Sequence, residues 1–217
     1  MNKAKPLLGI FGGTFDPIHY GHLNCALQVQ QHCGLQQVRL MPCHLPPHRA
    51  SPGVSAAQRA QMVELAIADY PQLALEPLEL QQQRPSYSAI SLAQLHQQFP
   101  EHQLAFILGM DAFNQFTRWY RWQDILQRAD LIVCQRPQHA TVSTASQPLL
   151  QQHQIQTAAE LQQPGHGRIL LFNNALQDIS ATELRQQIPS LQQCPDWLPQ
   201  SVWNYILQHR LYTLRTP

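Results

Sequence analysis

The chain has 217 residues, 44% of them apolar, with a formal net charge of +1 at neutral pH. That length fills one core without requiring a second, so a single domain over residues 1–217 is expected, and so small a charge excludes a general nucleic-acid field or an electrostatic membrane surface. Five cysteines without a Cys-x-x-Cys pair argue against a disulfide framework or a zinc knuckle and fit a reducing cytoplasm.

Lys3 and Lys5 ahead of an apolar run imitate the start of a signal peptide, but the run is short and ends in two glycines. No segment approaches the ~18 apolar residues that cross a bilayer. Residues 7–11 (LLGIF) read as a buried strand, and the apolar positions over 23–29 read as the helix that follows. Gly12 and Gly13 therefore fall in a strand-to-helix connection, which offers backbone N–H groups and a positive helix end to an anion. A second strand over 38–41 (VRLM) leads into a proline-rich loop over 42–53 (PCHLPPHRASPG), long enough to carry function. Residues 55–69 show helical spacing in Met62, Leu65, Ala66 and Ala68, and 73–80 read as extended. Residues 88–99 form an amphipathic helix that leads into the strongest strand, 104–108 (LAFIL), which ends at Gly109-Met110-Asp111. Residues 131–134 (LIVC) make another strand, closed by Arg136-Pro137, whereas 138–167 are polar, glutamine-rich and weakly periodic. A last strand over 168–172 (RILLF) precedes helices from about Thr182 and over 201–208. Strands alternating with helices imply an α/β fold with a doubly wound parallel sheet and a small C-terminal helical extension. Ligands of such sheets sit beyond the carboxyl ends of the strands, where Gly12-Gly13, residues 109–111 and residues 179–185 converge.

The stretch Gly12-Gly13-Thr14-Phe15-Asp16-Pro17-Ile18-His19-Tyr20-Gly21-His22 is the most informative. On a helix, His19 and His22 share one face, and Gly21 between them keeps that face open. Asp16-Pro17 could instead be a plain helix start, with Asp as the cap and Pro in the first turn. The glycine pair, aromatic, Asp-Pro and two histidines in one place favour a phosphate site. It is neither a Walker loop, which needs a Lys and a Ser/Thr, nor a Gly-x-Gly-x-x-Gly fingerprint. Residues 179–185 (ISATELR) contain a capping box, Ser180 with Glu183, and a helix N-terminus followed by Arg185 is also a polyphosphate site.

GGTFDPIHYGH resembles the signature of nucleotidyltransferases with a His-x-Gly-His motif, and ISATELR resembles their second motif, Ile-Ser-Ser-Thr-x-x-Arg, with Ala181 replacing a serine. Pro46-Pro47-His48-Arg49, Pro85-Ser86-Tyr87-Ser88, Gly109-Met110-Asp111 and Trp119-Tyr120 extend the resemblance, over most of the chain, to the bacterial nicotinate mononucleotide adenylyltransferases. Cys43 departs from the small polar residue usual there. The resemblance implies a Rossmann-like nucleotidyltransferase fold that joins ATP to nicotinate mononucleotide and releases pyrophosphate, in NAD biosynthesis. It implies catalytic roles for His19, His22 and Arg185. Contacts to ATP are implied for Gly12, Gly13, Thr14, Phe15, Gly21, Gly109, Asp111, Arg136, Ile179, Ser180 and Thr182. Contacts to the mononucleotide are implied for His48, Arg49, Ser86, Tyr87, Ser88, Trp119 and Tyr120, with Trp119 the platform for the pyridine ring. Mg²⁺ is expected to bind mainly through the ATP phosphates, without a protein metal site. Transfer to nicotinamide mononucleotide or phosphopantetheine, and a noncatalytic nucleotide-binding regulator, stand as alternatives. A nucleic-acid module lacks the basic field it would need.

Overall fold

A computed structural model of the protein describes residues 5–44, 54–82, 85–135, 141–173 and 181–213. Its apolar runs become the parallel strands β1 (Leu7–Gly13), β2 (Gln37–Pro42), β3 (Leu73–Leu75), β4 (Gln103–Gly109), β5 (Ala129–Gln135), β6 (Gln154–Ile155) and β7 (Ile169–Asn173). They form one sheet in the order β3-β2-β1-β4-β5-β7-β6, and every pairing is parallel. Parallel neighbours need crossovers, and α1 (Tyr20–His32), α2 (Ala56–Ile67) and α3 (Ser88–Gln98) supply those between β1 and β4. Two short helices, α4 (Met110–Phe113) and α5 (Trp122–Leu126), join β4 to β5, and α6 (Gln147–His153) precedes β6.

Because the chain winds from β1 toward β2 on one side and returns to β4 on the other, a crevice opens at the carboxyl ends of β1 and β4. Side chains alternate across the sheet into two cores. Phe11, Leu23, Val29, Met62 and Val63 belong to one, and Ile10, Phe106, Leu92, Phe113 and Phe116 to the other. After α7 (Ala181–Gln187), the C-terminal helix α8 (Gln200–Gln208) buries Val202, Trp203 and Ile206 in the first core. The Ser201 hydroxyl donates to the Leu65 carbonyl of α2 at 3.0 Å.

Two segments depart from the sequence reading. The extended run expected over 73–80 stops at Leu75, because Pro77 lacks a ladder donor and the Glu76 carboxylate accepts the Leu78 N–H at 3.2 Å, starting a 3₁₀ turn, Leu78–Gln81. The polar stretch over 138–167 contains α6 and the edge strand β6, anchored by the buried Leu149, Leu150 and Leu161. Three anchors are too few for a periodicity to show.

Candidate active site

The turn after β1 is built around a close approach. A Cβ on Gly13 would lie 2.8 Å from the Phe15 ring, so only glycine lets that ring fold back onto the strand end. Phe15 does so from a left-handed backbone, φ 49°, and is buried, in edge-to-face contact with His22 and Phe11 at centroid separations of 5.1 and 5.7 Å. A non-glycine residue in that region costs on the order of 1–3 kcal/mol, which the packing of Phe15 offsets.

Asp16-Pro17 does not open the helix. α1 begins at Tyr20 with His19 as its N-cap residue, and the buried Asp16 lies upstream across a cis bond to Pro17. His19 therefore ends the loop and His22 sits in the first helical turn, with ring centroids 3.7 Å apart. The helix start is also less open than the sequence implied. The Tyr20 N–H donates to the Trp197 carbonyl at 3.0 Å and the His22 N–H to the His19 carbonyl at 2.9 Å. The turn thus offers an anion fewer free helix N–H groups than the sequence implied, and its polar side chains are the buried His19 and the partly exposed His22. Gly21 is buried between them.

The second motif meets the first through Arg185. Its Nη1 donates to the Asp16 carbonyl at 2.7 Å and its Nη2 to the Thr182 hydroxyl at 3.2 Å. A cation from α7 is thus fixed beside the histidine turn.

Beside this turn lies a cleft of about 680 Å³, within the range of small-molecule sites. Gly12, Gly13, Thr14, Gly109 and Asp111 line its sheet edge, and Ser86, Tyr87, Ser88, Trp119 and Tyr120 its far wall. The Tyr87 and Tyr120 rings stand 4.9 Å apart, and Tyr120 is 49% exposed. Trp119 ends a 3₁₀ turn, packs against Phe106 and Phe116 at the margin of the second core and lines the cleft. Asp111 lies in the first turn of α4, whose N-cap is Gly109. His48, Arg49, Arg136, Ile179 and Ser180 lie outside the described residues.

Three residues here escaped the sequence reading. Arg118 is the only Lys or Arg lining the cleft among the described residues. Arg59 of α2 is fully buried and donates to the carbonyls of Thr14 and Cys43, both at 2.6 Å, tying the loops after β1 and β2 together. Its signal was a charge in phase with the buried stripe Met62, Val63 and Ala66. Cys43 also lines the cleft, and burial raises its thiol above the usual range, so it packs there as a neutral group.

The third, Glu79, is 3% exposed on the cleft floor and accepts the Ser91 hydroxyl at 2.7 Å. Ser86 also bonds to it, while the Ser86 Oγ accepts the His44 N–H at 2.9 Å. Burial pushes the Glu79 carboxyl upward, against the opposing pull of both hydroxyls. The folded protein then holds this proton more tightly than the unfolded chain does, so Glu79 weakens stability increasingly as pH rises from the ordinary carboxyl range through the raised one. Glu79→Gln is expected to gain stability relative to the parent as pH rises across the window from acid, where carboxyls are protonated, to neutrality. Urea unfolding at both ends of that window measures it, and a pH-independent difference would contradict it.

Among the described residues no group of three His, Cys, Asp or Glu side chains is placed to hold a metal. No described helix is long and apolar enough to cross a membrane.

A doubly wound sheet that sets a paired-histidine turn and an arginine beside an aromatic cleft at its switch point defines a nucleotidyltransferase of the cytidylyltransferase-like family, whose model matches residues 10–187. Within it, the chain belongs to the nicotinate-nucleotide adenylyltransferases. It is 44% identical over 211 residues to the "Nicotinate-nucleotide adenylyltransferase" of Salmonella typhimurium, covering 96% of this chain and 99% of that one. It is 46% identical over 210 residues to the "Probable nicotinate-nucleotide adenylyltransferase" of Cellvibrio japonicus, covering 96% and 99%. The solved Plasmodium falciparum nicotinic acid mononucleotide adenylyltransferase complexed with NaAD aligns over 95% of this chain and 97% of that one, with a TM-score of 0.73 at 17% identity, a likeness of fold.

Proposed function

We propose that this protein transfers the adenylyl group of ATP to nicotinate mononucleotide, forming nicotinate adenine dinucleotide and pyrophosphate. The acceptor's 5′-phosphate oxygen attacks the α-phosphorus, and the bond from that phosphorus to the β-phosphate bridging oxygen breaks. The nucleophile is already an anion, so no side chain has to remove a proton, and catalysis consists of alignment and charge stabilisation. The observation that carries this reading is the convergence of His19, His22 and Arg185 on the turn that follows the Gly12–Gly13 strand end, which itself lines the cleft.

In this assignment, His19, His22 and Arg185 hold the triphosphate and the leaving pyrophosphate, with Thr182 steadying Arg185. Gly12, Gly13, Thr14, Gly109 and Asp111 face ATP at the carboxyl ends of the strands, and Phe15 and Gly21 shape the turn from beneath. Mg²⁺ enters as part of MgATP, in keeping with its preference for phosphate and water oxygens. The pyridine mononucleotide occupies the far end, with its ring on Trp119 and Ser86, Tyr87, Ser88 and Tyr120 around it.

The acid form of the acceptor is supported by two features of that end. Arg118 contributes a cation, and α3 begins at the cleft wall, at Tyr87 and Ser88, with no side-chain cap, so the positive end of its dipole lies at that wall. Pyrophosphate release with MgATP and, separately, nicotinate mononucleotide, nicotinamide mononucleotide or phosphopantetheine tests the proposal. Release is expected with nicotinate mononucleotide foremost. No release with either pyridine mononucleotide would refute transfer, and equal rates with both would remove the preference for the acid.

Removing the ring platform separates the two substrates. Trp119→Ala is expected to raise the KM for the mononucleotide by about 10-fold or more and to leave the KM for ATP nearly unchanged, because aromatic stacking contributes roughly 1–3 kcal/mol. Initial rates with each substrate varied in turn give both constants. Parallel changes in the two would remove Trp119 from the acceptor site.

A further inference from the structure

We propose that Tyr212 is a positioning residue: its phenol occupies the Asp16 carboxylate and so keeps the Arg185 guanidinium available to the nucleotide phosphates. The inference rests on the role proposed for Arg185 and adds a residue far from both motifs.

The Tyr212 O–H donates to Asp16 Oδ1 at 2.6 Å, across 196 positions of sequence. Asp16 is 5% exposed, so its carboxylate needs such a donor. The segment that delivers the phenol is turned sharply, with left-handed backbone at Arg210 (φ 50°) and at Tyr212 itself (φ 59°). Neither is glycine, so the conformation is held by what the segment contacts. Burial and the Asp16 charge both push the phenol above its ordinary range, which keeps it a donor.

Arg185 lies on the other side of the same residue. It donates to the main-chain carbonyl of Asp16 at 2.7 Å, while its Nη1 stands 3.9 Å from the side-chain Oδ2. A guanidinium and a carboxylate this close would ordinarily close into a bidentate pair. Here they do not, because Oδ1 is already taken by the phenol and the guanidinium is spread between two neutral oxygens, those of Asp16 and Thr182. Arg185 is therefore held in a long, single-contact pairing with the carboxylate, and its partly exposed guanidinium retains donors for an anion. Without the phenol O–H, the buried carboxylate would lose that donor, and among the described residues Arg185 is the cation paired with it, 3.9 Å from Oδ2. The cation would then be drawn from the phosphates into an internal salt bridge.

The test is Tyr212→Phe in the full chain, with pyrophosphate release measured against ATP and against nicotinate mononucleotide, and thermal unfolding alongside. The expected result is a rise of about tenfold in the KM for ATP, the factor one net hydrogen bond commands, with the acceptor KM within about twofold of the parent. Adding Asp16→Asn to Tyr212→Phe removes the competing charge and is expected to restore part of the ATP affinity. An unchanged ATP KM in Tyr212→Phe overturns the proposal, as does a parallel rise in both KM values with a lowered melting temperature, which marks a merely structural contact. An Arg185→Gln arm separates the two readings. If it leaves the ATP KM unchanged, the role of Arg185 fails and the proposal fails with it. If it raises the ATP KM and Tyr212→Phe does not, the proposal alone fails.

Discussion

Replacing His22 with alanine is expected to lower the turnover number for pyrophosphate release by about 10²–10³-fold in a protein that remains folded. His22 sits in the first turn of α1, its ring wedged between Phe15, 5.1 Å away, and His19, 3.7 Å away, so its orientation is set before substrate arrives. Such preorganisation makes a donor effective toward charge that develops only as the β-phosphate bridging oxygen departs. The loss should therefore appear mainly in kcat, with a smaller change in the KM for ATP. Stability should respond far less. The half-buried ring contributes ring contacts worth roughly 0.5–1.5 kcal/mol, or a few degrees in melting temperature for a chain of this size. Initial rates together with thermal unfolding separate the two effects, and normal turnover in the folded variant would remove His22 from the reaction.

Much of this architecture is legible in the sequence for a specific physical reason. Parallel strands covered on both faces need continuous apolar runs, and LLGIF, LAFIL and LIVC stand out as such. Strand β3 is less legible because only three residues pair before Glu76 and Pro77 divert the chain. In the site, the histidine turn and Trp119-Tyr120 are visible because their residue types are dense and local. The supports of the turn are not. Arg59 acts on a carbonyl 45 positions away, Tyr212 on a carboxylate 196 positions away, and Glu79 through serines on another helix and loop. Local periodicity holds no information about such partners. Nor does it foretell that Phe15 takes a left-handed backbone to lie on Gly13, although the glycine pair is a trace of that requirement.

Among these supports Arg59 carries the largest expected effect on stability. A buried guanidinium is expensive to desolvate, and exchanging a buried ionic group for an apolar one is neutral in some proteins, which would predict little change for Arg59→Met. The acceptors here decide otherwise. Arg59 bonds to main-chain carbonyls at Thr14, Cys43 and His44, at 2.6, 2.6 and 3.3 Å, and these oxygens remain in place when the side chain is exchanged. Each short bond lost leaves a carbonyl stranded between the two loops, at roughly 1–3 kcal/mol apiece. A total of about 3 kcal/mol or more follows, which for a chain of this length lowers the melting temperature by roughly 6–12 °C. Arg59→Lys should fall between methionine and the parent, because one ammonium keeps the charge but lacks the fork that reaches both loops at once. The same loops form the edges of the cleft at Thr14 and Cys43, so both substrate KM values should rise together in Arg59→Met, unlike the one-sided change expected of Trp119→Ala. Melting curves and paired KM determinations on the two Arg59 variants measure this. A methionine variant as stable as the parent would mean that the loops hold their register without the arginine.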